Sequence, residues 1–330
     1  MSRLPLTLAT CRYDRTEALR SGEVRIEGID LNLLTLGHGR EIFDRMVGGQ
    51  EFDASELSIS EYISLAGRGN SPFVAIPVFI SRVFRHGYVF TNKKSGIRAP
   101  KDLEGKRIGV PLYTQSAALW VRGHLTSQYG VDFSNVKWVQ GAVESAEAHG
   151  KPSAPPLLVP VPIEQNHSGH SLDELLARGD IDALIGSRKP ASLGKHPDVK
   201  RLFPNFRQLE REMFQKEKIF PVMHVIALNR AYYERNKWVA NSLFRAFVEA
   251  KRLAQERLRY AGSLCTMLPW QLEEMEEIDQ VFGGDAFPYG IEANRPTLEA
   301  LMRHMVEQNF IAQPIPLENL FVSTPGAMEH

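Results

Sequence analysis

The sequence predicts an α/β protein of two lobes, and three observations carry that expectation. Its 330 residues exceed what one hydrophobic core usually organises. Strand-like and helix-like runs alternate along most of the chain. Residues 102–125 read as a short strand feeding straight into a helix: residues 106–110 are apolar at Ile108 and Val110, residues 111–113 turn, and Thr114 or Ser116 caps a helix with Ala117, Leu119, Trp120, Val121 and Leu125 on its apolar positions. The first amides of such a helix lack intrahelical partners, so the turn Thr114, Gln115, Ser116 is either a seat for a carboxylate, sulfonate or phosphate or a structural βα turn.

The other elements follow in order. Residues 4–10 alternate apolar and polar as a first strand, after which Asp14 is placed to cap a short helix; loop residues just past a first strand often face a cleft. Residues 28–36 make a second strand and 41–47 a helix with Ile42, Phe43 and Met46 on one face, and residues 52–58 form a strand and loop containing Glu56. Residues 71–79 are a buried strand, 88–91 another, and 92–101 a crossover. Residues 136–140 are a further strand, and the Pro-, Ser-, Gly- and His-rich run 147–170 an extended excursion. A helix over 172–177 ends at Gly179, and the strand 181–185 delivers Ser187 and Arg188. Residues 220–229 bring Met223 and His224 into another strand; helices over 238–260, 272–281 and 297–308 close the chain. The blocks join near residues 90 and 225, giving one lobe from 1–90 plus 226–330 and an inserted lobe from 91–225.

Composition excludes several classes. Lys plus Arg and Asp plus Glu number 39 each, which gives no electrostatic case for nucleic acid or an anionic membrane surface. Cys11 and Cys265 are far apart and suggest neither a disulfide framework nor a cysteine metal site. His167 and His170 have no third ligand at metal spacing and read as a solvated loop. The N-terminal run shows no signal-peptide pattern and there is no apolar stretch near 18 residues, so the expectation is a cytoplasmic protein.

The loop after the strand at 71–79 is unusually cationic. Arg82, Arg85 and His86 lie between two apolar strands and need anionic partners if buried, so they form either an anion-binding cleft or a solvated turn.

The segments Glu-Gly-Ile-Asp (27–30), Phe-Asp-Ala-Ser-Glu-Leu-Ser (52–58), Ser-Pro-Phe-Val-Ala-Ile-Pro-Val-Phe (71–79), Arg-Val-Phe-Arg-His (82–86), the run 96–111, Phe-Pro-Val-Met-His (220–224) and Pro-Tyr-Gly-Ile-Glu-Ala-Asn-Arg (288–295) resemble the 4,5-dihydroxyphthalate decarboxylase family. The resemblance runs in order over nearly the whole chain. It implies a type II periplasmic-binding-protein-like fold with a hinge and an interlobe cleft, related to solute-binding subunits of nitrate, sulfonate and taurine importers. It also implies loss of one carboxylate of 4,5-dihydroxyphthalate to give 3,4-dihydroxybenzoate and CO2.

That chemistry needs an acid at the ring face, because the carbon losing its carboxylate is protonated first with help from the hydroxyl para to it. His86 and His224 are candidates because imidazole titrates near neutrality, and Glu56 is one if burial raises its pKa. Arg82, Arg85 or Arg188 can hold the remaining carboxylate bidentately, and Thr114, Gln115, Ser116 and Ser187 can hold other oxygens. No organic cofactor is expected, as there is neither a Walker A loop nor a Gly-x-Gly-x-x-Gly run; a divalent metal from separate loops stays open. The expected partner is a small aromatic carboxylate, with a homo-oligomer open. The competing readings are a solute receptor for a small carboxylate or sulfonate, and an enzyme of the thiamine-pyrimidine group.

Overall fold

The computed structural model describes residues 3–324. In chain order its elements are β1 (Leu4–Cys11), α1 (Glu17–Arg20), β2 (Ile29–Leu36), α2 (Gly39–Gly49), β3 (Ala54–Ser58), α3 (Ile59–Ala66), β4 (Phe73–Arg82), β5 (Val89–Asn92), β6 (Arg107–Val110), α4 (Ser116–Tyr129), β7 (Lys137–Gln140) and β8 (Ile163–Gln165). There follow α5 (Leu172–Arg178), β9 (Ala183–Ile185), β10 (Val199–Arg201), α6 (Phe206–Glu217), β11 (Val222–Asn229), α7 (Arg230–Arg235), α8 (Val239–Arg259), α9 (Gln271–Phe282), α10 (Arg295–Glu307) and α11 (Leu317–Leu320).

These form two compact units. The first comprises the chain up to Arg82, Val222–Glu299 and the chain from Ile315; the second comprises Val83–Pro221 and Ala300–Pro314. The exchange points thus lie at 82/83 and 221/222, where the sequence places them near 90 and 225, and residues 300–314 join the inserted unit.

The first unit is built on a five-stranded sheet in the order β2-β1-β3-β11-β4. β1 runs parallel to β2 and β3, while β11 runs antiparallel to β3 and β4. Alternate strand residues Leu6, Leu8, Ile76, Val78, Ile226 and Leu228 face Leu243, Phe244 and Phe247 of α8. Those three recur at helical spacing on a 21-residue helix, so one stripe of α8 is buried and the opposite face carries its charges. Burying such side chains contributes about 1.5–3 kcal/mol each.

The second unit holds a six-stranded sheet, β10-β5-β9-β6-β7-β8. Its two faces carry separate cores: Ile108, Val110, Val121, Leu125 and Ile185 in one, Phe90, Leu172, Leu176 and Leu184 in the other. Adjacent residues Leu184 and Ile185 enter different cores because successive side chains of a strand point to opposite faces. Gly179 ends α5 in the left-handed conformation (φ 83°), as its position after an apolar helix predicts.

Three local expectations need correction. The N-cap of α4 is Gln115 rather than Thr114 or Ser116, and the Gln115 side chain makes no capping hydrogen bond. Asp14 is not a cap either: it opens a 3-10 turn over Asp14–Thr16 whose N-cap is Tyr13, Thr16 is the N-cap of α1, and the Asp14 carboxylate accepts from the Arg15 amide. The excursion 147–170 is not wholly irregular, because β8 pairs in parallel with β7 at the sheet edge.

Candidate active site

The first unit gathers a buried carboxylate, an imidazole, a phenol and a thiol at one end of its central strands. Glu56 lies on β3 opposite Ile226 of β11, and His224 sits opposite Ser58, two residues along on the same face. That diagonal places His224 Nδ1 3.6 Å from Glu56 Oε2. Because β11 is antiparallel, His224 reaches this place from the amino end of its strand while Glu56 reaches it from the carboxyl end of its own. The β11–β4 pairing shifts register on both sides of His224, an irregularity of the kind that re-aims a side chain.

Glu56 is 0 % exposed, and a carboxylate so placed requires donors. The Cys11 amide donates to Oε1 at 2.9 Å and the Tyr13 hydroxyl to Oε2 at 2.8 Å. Burial by itself raises the Glu56 carboxyl, but the imidazole of His224 and the hydrogen bonds from Cys11 and Tyr13 outweigh it and hold the group below the usual carboxylate range. Glu56 is therefore ionised, which corrects the idea that burial makes it the proton donor. Burial and the Glu56 charge push the Tyr13 phenol up, so it stays a donor, and the same two causes push the Cys11 thiol up. Arg15 stacks over the Tyr13 ring at 4.2 Å and donates through Nε to the Ile80 carbonyl at 2.8 Å, fixing the loop.

His224 differs from its partner in being open: its side chain is 23 % exposed. Phe43 meets the ring edge-on with centroids 4.9 Å apart. The amino end of α2 comes close beside it; a Cβ at Gly39 would stand 3.0 Å from Phe43 Cζ and 3.4 Å from His224 Cε1. His38, at the N-cap of α2, makes no side-chain capping hydrogen bond, and the positive end of that helix lies next to the imidazole.

The cationic run is divided between the two units. Arg82 belongs to the first unit, where its Nη2 donates to the Pro288 carbonyl at 3.1 Å and to Asn294 Oδ1; Asn294 in turn donates to the carbonyls of Pro288 and Gly290. Burial pulls Arg82 down to about 9. The Pro-Tyr-Gly-Ile-Glu-Ala-Asn run is thus the loop that Arg82 ties to the end of β4. Carbonyl and amide oxygens accept from its Nη2, and the Asp285 carboxylate opposes the effect of burial.

Arg85 and His86 belong to the second unit. Arg85 packs over the Tyr88 ring at 4.8 Å and is pulled down to about 10 by burial. His86 Nε2 bonds Gln128 Oε1 at 3.1 Å, its ring stacks on His124 at 5.6 Å, and burial lowers its pKa. It is a neutral interior imidazole. Glu210 accepts from the Gly87 amide at 3.2 Å and is pushed up to about 7 by burial.

A further group meets at the carboxyl ends of β6 and β9. A Cβ at Gly186 would lie 2.6 Å from Pro111 Cδ and 3.0 Å from Gln115 Nε2, so the turns carrying Thr114, Gln115, Ser116 and Ser187 are in contact. Arg188 pairs with Glu144 at 2.6 Å. The structure brings the candidates His224 and Glu56 together and adds Cys11 and Tyr13, whose one sequence signal is their place just past the first predicted strand. Among the described residues no group of three or more His, Cys, Asp or Glu is placed to hold a metal ion, and no helix is long and apolar enough to cross a membrane.

The fold is that of periplasmic binding proteins. The periplasmic aliphatic sulphonate binding protein SsuA from Escherichia coli matches with a TM-score of 0.53 at 12 % identity over 98 % of this chain and 93 % of its own. A protein from Archaeoglobus fulgidus matches with a TM-score of 0.55 at 16 % identity, over 93 % of this chain and 98 % of its own. Residues 27–151 match the family model described as NMT1/THI5 like. Sequence narrows this further. A 4,5-dihydroxyphthalate decarboxylase from Comamonas testosteroni is 35 % identical over 92 % of this chain and 91 % of its own, and one from Pseudomonas putida is 38 % identical over 62 % and 78 %. The chain belongs to the 4,5-dihydroxyphthalate decarboxylase family.

Proposed function

We propose that the protein is a carboxy-lyase of aromatic acid degradation that converts 4,5-dihydroxyphthalate to 3,4-dihydroxybenzoate and CO2. The observation that carries the reading is the buried, ionised Glu56 beside Nδ1 of a partly open imidazole. A carboxylate there balances the charge of a protonated ring, whose Nε2–H is the proton to deliver. His224 donates that proton to the ring carbon bearing the departing carboxylate while the para hydroxyl feeds electron density into the ring. The bond to the carboxylate then breaks, its electron pair restores aromaticity, and CO2 leaves. The reaction consumes one proton and draws on no organic cofactor. The positive end of α2 beside His224 suits the retained carboxylate. Thr114, Gln115, Ser116 and Ser187 form a separate candidate anion seat in the second unit. A cytoplasmic setting belongs to the same proposal.

The test is CO2 release from 4,5-dihydroxyphthalate by the purified protein, compared with His224→Gln. Release that needs His224 supports the reading. Substrate recovered intact, with thermal stabilisation that grows as its concentration rises, instead supports the receptor reading that the sulphonate-binding fold favours.

A further inference from the structure

The second unit buries a guanidinium that the proposed chemistry does not use. Arg122, in the middle of α4, is 2 % exposed. Its Nε donates to Gln308 Oε1 at 2.8 Å and its Nη2 to the Tyr113 carbonyl at 3.0 Å, while Nη1 has no hydrogen-bond partner among the described residues. The group lies 3.7 Å over the Tyr113 ring centroid and 5.7 Å from that of Trp138. Burial lowers its pKa, yet a guanidinium stays charged under ordinary conditions. None of the hydrogen bonds it donates goes to a carboxylate. Two acids line the same cavity and each has another partner: Glu307 is 3.2 Å from His304 Nδ1, and Asp132 accepts from the Ser134 amide and hydroxyl at 2.9 Å.

Arg122 forms part of the wall of a cavity of about 600 Å³. The wall also includes Tyr113, Phe133 and Trp138, the acids Asp132 and Glu307, and the Pro160–Pro162 stretch of the excursion. Flat aromatic and proline surfaces around one buried cation suit a planar apolar body carrying a single negative charge. The volume falls in the range of small-molecule pockets. A buried charge served by neutral acceptors is unfavourable, and a carboxylate brought beside it supplies the missing partner.

We propose that this cavity is a second ligand site, separate from the Glu56–His224 pair, that binds a small aromatic monocarboxylate with its carboxylate at Arg122. The excursion at 147–170, irregular apart from its edge strand, then has a role as one wall of the pocket. Tyr113, whose carbonyl Arg122 holds, precedes Thr114, so the ligand sits at the base of the turn that opens α4.

The experiment is a calorimetric titration of benzoate, which lacks the ring hydroxyls, into the full chain and into two variants. Arg122→Gln removes the charge. Val161→Trp fills the cavity without touching Arg122, and guards against Arg122→Gln simply failing to fold. One benzoate-binding event is expected to weaken about tenfold or more in both variants, equivalent to about 1.4 kcal/mol. Decarboxylation by Val161→Trp is expected to stay within about twofold of the parent. Benzoate heats unchanged in both variants overturn the proposal, as does acetate or inorganic phosphate binding at the same place as tightly as benzoate. Absence of turnover in the parent protein would instead count against the decarboxylase reading, and the titration would still decide the cavity.

Discussion

His224 Nδ1 stands 3.6 Å from Glu56 Oε2, a separation set by the register of β3 against β11. One member is sealed in the sheet and the other is partly open, so the pair divides orientation from chemistry. His224→Gln keeps a polar side chain but cannot deliver a proton, and kcat is expected to fall by about a hundred- to ten-thousand-fold with KM little changed. Glu56→Gln is expected to lower kcat in the same direction while the chain stays folded, because an amide still accepts from Cys11 or Tyr13. Full turnover by Glu56→Gln alongside an inactive His224→Gln would show that the carboxylate has no part in the reaction.

Most of the fold was legible because its signals are local. The stripe of α8 and the glycine that ends α5 each need only a few neighbouring residues to be read. β8 and β10 were not legible, since three residues carry too little period to distinguish a strand from a loop. Glu56 and His224 were each picked out singly, but their meeting depends on strand pairing between distant segments, which no local pattern encodes. The run 82–86 hides a boundary that local sequence does not mark: the chain passes from one unit to the other after Arg82, and within its own unit each cation has its own partners.

Tyr13→Phe tests the support beneath the pair. It deletes one donor to a buried carboxylate, and a loss of about 1.5–3 kcal/mol at neutral pH is expected in chemical denaturation. The pH dependence has a definite sign. Glu56 is lowered in the folded state, so its stabilisation is present above the ordinary carboxylate value and lost as pH falls through the lowered one. Without Tyr13 the folded value rises toward the ordinary one, and acid unfolding should begin at higher pH than in the parent. An unchanged acid transition would mean that Tyr13 does not help to keep Glu56 ionised.

Arg82→Met separates a ligand clamp from a loop tie. The side chain donates to Asn294 and Pro288, so the expected result is a loss of about 2–4 kcal/mol in stability. In a double-mutant cycle with Asn294→Leu, a coupling of about 1 kcal/mol or more is expected, because each residue removes the other's partner. KM for 4,5-dihydroxyphthalate should change little among the folded molecules. A large rise in KM with stability intact would return Arg82 to the substrate.

Glu210 gives a second pH signature, of opposite sign to that of Glu56. Burial pushes it up to about 7 from an ordinary 4.5, with the Gly87 amide and Arg85 opposing. The folded protein therefore binds this proton more tightly than the unfolded chain, and between pH 4.5 and about 7 stability falls as pH rises. Above that window the penalty is complete, on the order of 2 kcal/mol once partial exposure is allowed for. Glu210→Gln carries no titrating proton and can still accept from the Gly87 amide. It should match the parent near pH 5, exceed it in stability at pH 8, and flatten the decline between them. The measurement is a urea midpoint at several pH values for both proteins. Parallel curves would mean that the Glu210 carboxyl titrates alike in the folded and unfolded states, and that burial in this part of the second unit costs it nothing.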